Sequence, residues 1–200
     1  MLATVTTDFR LPSTWKYSLR WLGWWSSRSW EYLYSYLSLA VRRRKLGDRH
    51  PTTISTCIQL AEPYVVLKRY DEAQKLITEA RKAASEVFGP EHQETMDAST
   101  TLAVILVRRG NKKEALPILE EVLDVSRKTL GNTHPATLQS IDNAAYLLDV
   151  VGQLRKAYDL RRELRDAYRS KFGDDHAKTR AAQQGLDVLS AKIDKQGKDG

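Results

Sequence analysis

Apolar positions recur along this chain at helical spacing, and the whole pattern returns every 42 residues. Leu60, Ala61 and Tyr64 precede Ala73 and Ile77. One period later Leu102, Ala103 and Leu106 precede Ala115 and Leu119, and after another Ala144, Ala145 and Leu148 precede Ala157 and Leu160. Steps of three and four place each group on one helix face. Each unit thus predicts two antiparallel helices, joined by a short turn at Lys68-Arg69, Gly110-Asn111 or Gly152-Gln153. Small residues fall where paired helices approach most closely, at Ala61/Ala73, Ala103/Ala115 and Ala145/Ala157. A larger side chain there overpacks the contact, at ~1–3 kcal/mol. Self-similarity at such a period marks a solenoid, whose units bury their apolar faces only against neighbours. Function is then expected on a surface, not in an enclosed pocket.

The units meet at a repeated phrase: LGDRHPTT, FGPEHQET, LGNTHPAT and FGDDHAKT, centred on His50, His92, His134 and His176. Gly47, Gly89, Gly131 and Gly173 follow the last apolar residue of a helix, where a left-handed glycine is expected. Pro51 and Pro135 suit the first position of the next helix, because proline has no amide hydrogen to leave unsatisfied. Each histidine ring is expected to make a hydrogen bond within its joint, beside a helix start. Helices pack ~8–10 Å apart, so rings one repeat apart do not converge on one ion with bonds of ~2.0 Å, and no metal or other cofactor is expected. After Phe172-Gly173 one capping helix, about 178–193, precedes a polar tail over 194–200. Residues 30–45 run into the phrase LAVRRRKLG ahead of DRHP, as later second helices end before their own joints. They read as the second helix of a decayed unit, although Tyr32, Tyr34 and Tyr36 alternate as a strand would.

Cys57-x2-Leu60-Ala61-x2-Tyr64 followed by Ala73-x3-Ile77 tracks the tetratricopeptide signature. With the phrase LGxxHPxT, residues 30–193 resemble the kinesin-light-chain and nephrocystin type of tetratricopeptide repeat. The resemblance implies an all-α fold, a right-handed α-solenoid of tetratricopeptide-type helix pairs with full repeats over 46–87, 88–129 and 130–171 and the capping helix over 172–193. It also implies a concave groove for a partner peptide or domain, lined by first helices, with no chemistry of its own. Carried onto this chain, the groove positions are Ser55, Ile58, Glu62 and Val65, then Asp97, Thr100, Val104 and Arg108, then Gln139, Asp142, Tyr146 and Asp149. Relatives often write Asn-Asn before Leu-Ala, and those amides hold a bound peptide's backbone. Here only Asn143 remains, so the usual amide ladder is in doubt. With few repeats and no coiled-coil heptads, the chain is not a kinesin light chain itself.

Residues 1–29 form a separate tryptophan-rich segment. With Trp30, this end of the chain holds all five tryptophans, Trp15, Trp21, Trp24, Trp25 and Trp30. These rings read either as the first layer of the solenoid or as a docking surface, since Trp, Tyr and Arg dominate interface hot spots. Trp21, Trp24, Trp25 and Trp30 are the docking candidates, with Trp24 and Trp25 as partner anchors. The longest uncharged run here, Tyr32 to Val41, has ten residues, against ~20 for a membrane span. Peripheral contact, with rings at the headgroup level, is the alternative. Four basic residues, one acid and several Ser/Thr before Glu31 also fit a transit peptide to a mitochondrion or plastid. Cytoplasmic residence is otherwise expected, because one cysteine, Cys57, allows no internal disulfide.

Net charge is +7, but residues 1–50 hold nine Lys/Arg against three Asp/Glu, so the repeats are nearly neutral. Nucleic acid is therefore not the expected partner, since its binders spread a basic stripe along the binding face. Catalysis finds no support: there is no Gly-rich phosphate loop, no G-x-S-x-G, no H-E-x-x-H. The expected function is a non-catalytic interaction scaffold, binding other proteins through the concave face and the aromatic end. The alternative is a structural accessory subunit of a larger, membrane-associated assembly, anchored by the tryptophans. Nothing in the sequence sets an oligomeric state.

Overall fold

The computed structural model describes residues 27–198, with side chains over 37–196. Eight helices follow one another among the described residues: α1 (Ser27–Leu46), α2 (Pro51–Val66), α3 (Tyr70–Phe88), α4 (Gln93–Arg109), α5 (Lys112–Leu130), α6 (Pro135–Val150), α7 (Leu154–Phe172) and α8 (Ala177–Lys198). Every helix packs on the next, and α2 also meets α4, one repeat on. Even-numbered helices are the first of each pair and odd-numbered ones the second. The strand reading of Tyr32, Tyr34 and Tyr36 gives way to α1, which begins at Ser27, earlier than the expected Trp30.

Packing follows the small-residue pattern. Ala61, Ala73, Ala103, Ala115, Ala144, Ala145 and Ala157 are all fully buried, which brings the paired backbones together and leaves Leu60, Ile77, Ile105, Ile141 and Leu147 to fill the layers between. The short turns need one residue with positive φ, supplied by Gly110 and Gly152 and, in the first repeat, by Lys68 at φ 59°. A side chain in that region is uncommon, because its Cβ crowds the following carbonyl.

The longer joints differ from expectation at their glycines. Gly131 has φ 83° and ψ 165°, an extended mirror-image conformation open essentially to glycine alone, not the left-handed helical one. It redirects the chain so that His134 caps the next helix. The last helix also runs further than expected, to Lys198. Lys195 and Gln196 are polar but good helix formers, so polarity there marks a solvated helix and not a tail.

Second helices are stitched to one another by ion pairs. Arg43 reaches Glu79 at 3.2 Å, Arg81 reaches Glu121 at 3.0 Å, and Arg127 reaches Glu163 at 2.5 Å. At such exposure each contributes under about 1 kcal/mol, so the row sets register more than stability. Arg43 also meets Asp48 at 2.9 Å, and Arg42 bonds Thr56. The basic run is thus partly spent holding α1 to the first repeat.

Candidate groove on the first helices

The joint histidines act as helix N-caps. Nδ1 of His50, His92, His134 and His176 accepts the backbone N–H of Thr52, Glu94, Ala136 and Lys178, each at 3.2 Å. That bond satisfies one of the amides a helix start leaves unpaired, and it requires a neutral ring protonated on Nε2. Phe88 stacks on His92 and Phe172 on His176, with centroids 4.6 and 4.4 Å apart. The closing threonine of the phrase adds a second tie: Thr95 Oγ1 donates to Gly89 O at 2.7 Å and Thr179 Oγ1 to Gly173 O at 2.8 Å. Among the described residues no cluster of three His, Cys, Asp or Glu side chains is arranged to hold a metal ion.

The first helices α4 and α6 enclose a groove of about 560 Å³ lined by Ala103, Val104, Val107, Arg108, Lys112, Leu119, Asn143, Tyr146, Leu147 and Val150. Four sequence-predicted positions meet here: Val104, Arg108, Asn143 and Tyr146. Two of them stand well out of the core, Val104 at 44% and Tyr146 at 55% exposure. An exposed aromatic ring beside Val104, Val107, Leu147 and Val150 is an unspent apolar contact. Val107, Lys112, Leu147 and Val150 were not foreseen, and Ala103 and Leu119 were expected only as core. Val107 and Val150 lie three or four residues from Val104 and Tyr146, so extending each helix face by one turn finds them. Lys112 comes from the second helix α5, which first-helix positions alone do not reach.

The remaining predicted positions are placed otherwise. Asp142 lies 3.1 Å from the Arg161 guanidinium, and Asp149 Oδ1 accepts from Lys192 Nζ at 2.6 Å. Both carboxylates are thus neutralised by cations of later helices. Gln139 donates to Asn143 Oδ1 at 3.2 Å, and Gln93 to Asp97 at 2.8 Å. Val65 and Ile58 pack half-buried against the core, Thr100 and Ser55 are half-buried, and Glu62 is exposed, all outside this groove. Trp21, Trp24 and Trp25 lie outside the described residues, as do the transit and membrane readings that rest on them. Trp30 lies on α1.

Charge in the groove is one-sided. Arg109 pairs with Asp71 at 2.6 Å and bonds Gln74 at 2.7 Å. Its neighbour Arg108, with Lys112, is exposed and has no ion-pair partner among the described residues. With Asp142 and Asp149 neutralised, the apolar floor is flanked by two uncompensated cations, which favours a ligand of opposite sign. Two groups titrate away from their ordinary values nearby or in the core. Burial pushes the Cys57 thiol up, with the Arg43 cation opposing, and burial followed by the Asp142 charge raises the Tyr168 phenol.

A profile of the tetratricopeptide repeat matches residues 56–128, which span α2 to α5. Residues 56–128 are thus matched as tetratricopeptide repeats. Among solved structures, the kinesin light chain nearly identical TPR-like repeats of Podosopora anserina superpose with TM-score 0.77 at 20% identity, over 90% of this chain and 84% of that one. BtubC (BKLC) from P. vanneervenii gives 0.70 at 17%, over 84% and 67%, and the apo form of RapI gives 0.63 at 15%, over 82% and 65%. At such identities these likenesses carry the fold alone, an α-solenoid of tetratricopeptide-type helix pairs. No curated protein matches the sequence. Among the described residues no helix is long and apolar enough to cross a membrane.

Proposed function

We propose that this protein is a non-catalytic scaffold that binds a partner protein in the groove between α4 and α6. The partner segment is acidic and carries an apolar anchor. The observation behind this reading is the pairing of exposed Tyr146 and Val104 with the uncompensated cations Arg108 and Lys112 around one depression. An apolar side chain of the partner seats against the tyrosine, and its carboxylates meet the guanidinium and ammonium groups at the rim, where charge sets specificity and on-rate more than affinity. The tetratricopeptide fold supports the scaffold reading, since solenoids offer extended surfaces and not enclosed reaction chambers.

Anisotropy of labelled peptides, in acidic, neutral and basic sets that share an aromatic or aliphatic anchor, tests this choice. The full chain is expected to select the acidic set, with affinity falling as salt rises. Arg108→Glu should reverse that preference, since the residue is exposed and its replacement leaves the fold intact. Binding indifferent to peptide charge, or to Arg108→Glu, removes the proposed ligand.

A further inference from the structure

Leu37 occupies a position that every later second helix gives to glutamate. One, two and three periods on stand Glu79, Glu121 and Glu163, and each accepts an ion pair from the second helix before it, from Arg43, Arg81 and Arg127. The position therefore looks back along the stack, toward the preceding second helix. At α1 no described element precedes it, and leucine replaces the carboxylate. Leu37 is 44% exposed and Val41, one turn on, is 40% exposed. Trp30 and Leu33 continue this series at steps of three and four, the spacing of one helix face. The described N-terminal end of the stack thus exposes Leu37 where later repeats carry glutamate, with Val41 beside it, an apolar surface that solenoid ends ordinarily make polar or cover.

We propose that residues 1–26 of the same chain cover this surface. They directly precede Ser27 and hold the four other tryptophans, Trp15, Trp21, Trp24 and Trp25. Trp15, Leu19 and Leu22 recur at steps of four and three, and Trp15 stands one period before Cys57, at the place the repeat signature gives to tryptophan. Residues 9–24 lie one period before α2 and match its 16 residues, so the segment is long enough to run beside α1. Tethering also favours it over a second copy, because a short linker holds a segment at about millimolar effective concentration. A dilute partner chain or lipid surface competes against that.

All five tryptophans lie between Trp15 and Trp30, so tryptophan emission reads this end of the molecule alone. For the full-length chain we expect blue-shifted emission, weakly quenched by acrylamide, in a monomer by light scattering and independent of protein concentration. Leu37→Glu with Val41→Lys should shift emission to the red and raise quenching several-fold while the helical circular dichroism persists. Glutamate at the position of Leu37 is already borne by three other repeats, so that substitution has a folded precedent within the same molecule. Red, freely quenched emission from the unmodified chain overturns the proposal without any variant. So does emission that the double substitution leaves unchanged. A blue shift that appears only on dimerisation assigns the apolar surface to a second copy, and one that appears only with anionic phosphatidylserine vesicles assigns it to a lipid surface. Either result displaces residues 1–26 as the occupant.

Discussion

Backbone conformation at single turn residues tests the repeat most sharply. Lys68 takes a positive φ where the equivalent residues are Gly110 and Gly152, so Lys68→Gly should raise unfolding free energy by about 0.5–1 kcal/mol, the left-handed penalty of ~1–2 kcal/mol less the added freedom of glycine when unfolded. Gly131→Ala should move the other way, by about 1–3 kcal/mol, because the mirror-extended region excludes a Cβ although no neighbouring atom crowds it. Urea melts of both variants read the two signs, and equal signs refute this account of the turns. The deficit at Lys68 was legible, since aligning the repeats shows the missing glycine. The conformation of Gly131 was not, because sequence marks a need for glycine without saying which positive-φ region is used. Cys57 titrates above its ordinary range because it is buried. The unfolded chain therefore loses that proton first, and stability is flat below the ordinary thiol value and falls as pH rises beyond it. Cys57→Ala should flatten the alkaline slope of stability against pH, and an unchanged slope places the pH dependence elsewhere.

Helix pairs are held by close approach and not by long side chains. Ala103 is fully buried on α4, so Ala103→Leu should destabilise by about 1–3 kcal/mol. Because each unit contacts only its neighbours, amide hydrogen exchange should quicken most in α3, α4 and α5. Uniform loss of protection along the chain contradicts a layered array, and no loss removes the close contact. The alanine register, the short turns and the histidine joints were readable because each repeats in the sequence. The pairings Asp142–Arg161 and Asp149–Lys192 were not, since their partners lie on later helices. Those contacts explain why two groove-predicted carboxylates became internal ties. Gly185 shows the same dependence on a partner: a Cβ there would lie 3.2 Å from an Arg161 guanidinium nitrogen, so a glycine within α8 leaves room for the arginine that holds Asp142.

Across the described stack eleven large apolar side chains stand exposed, and two of them, Val104 and Tyr146, share the α4–α6 groove. The resemblance placed Val104, Arg108, Asn143 and Tyr146 there because first-helix positions are fixed by the repeat. It missed Lys112, which reaches the same space from α5. The central claim is that this groove, through Tyr146, is where a partner binds. Isothermal titration of the tightest acidic peptide into the full chain and into Tyr146→Ala, with melting temperatures measured on both, tests it most directly. Tyr146 is more than half exposed, so the account predicts an unchanged melting temperature and a loss of about 2 kcal/mol of binding, roughly 30-fold in Kd. Undiminished affinity in Tyr146→Ala would contradict it.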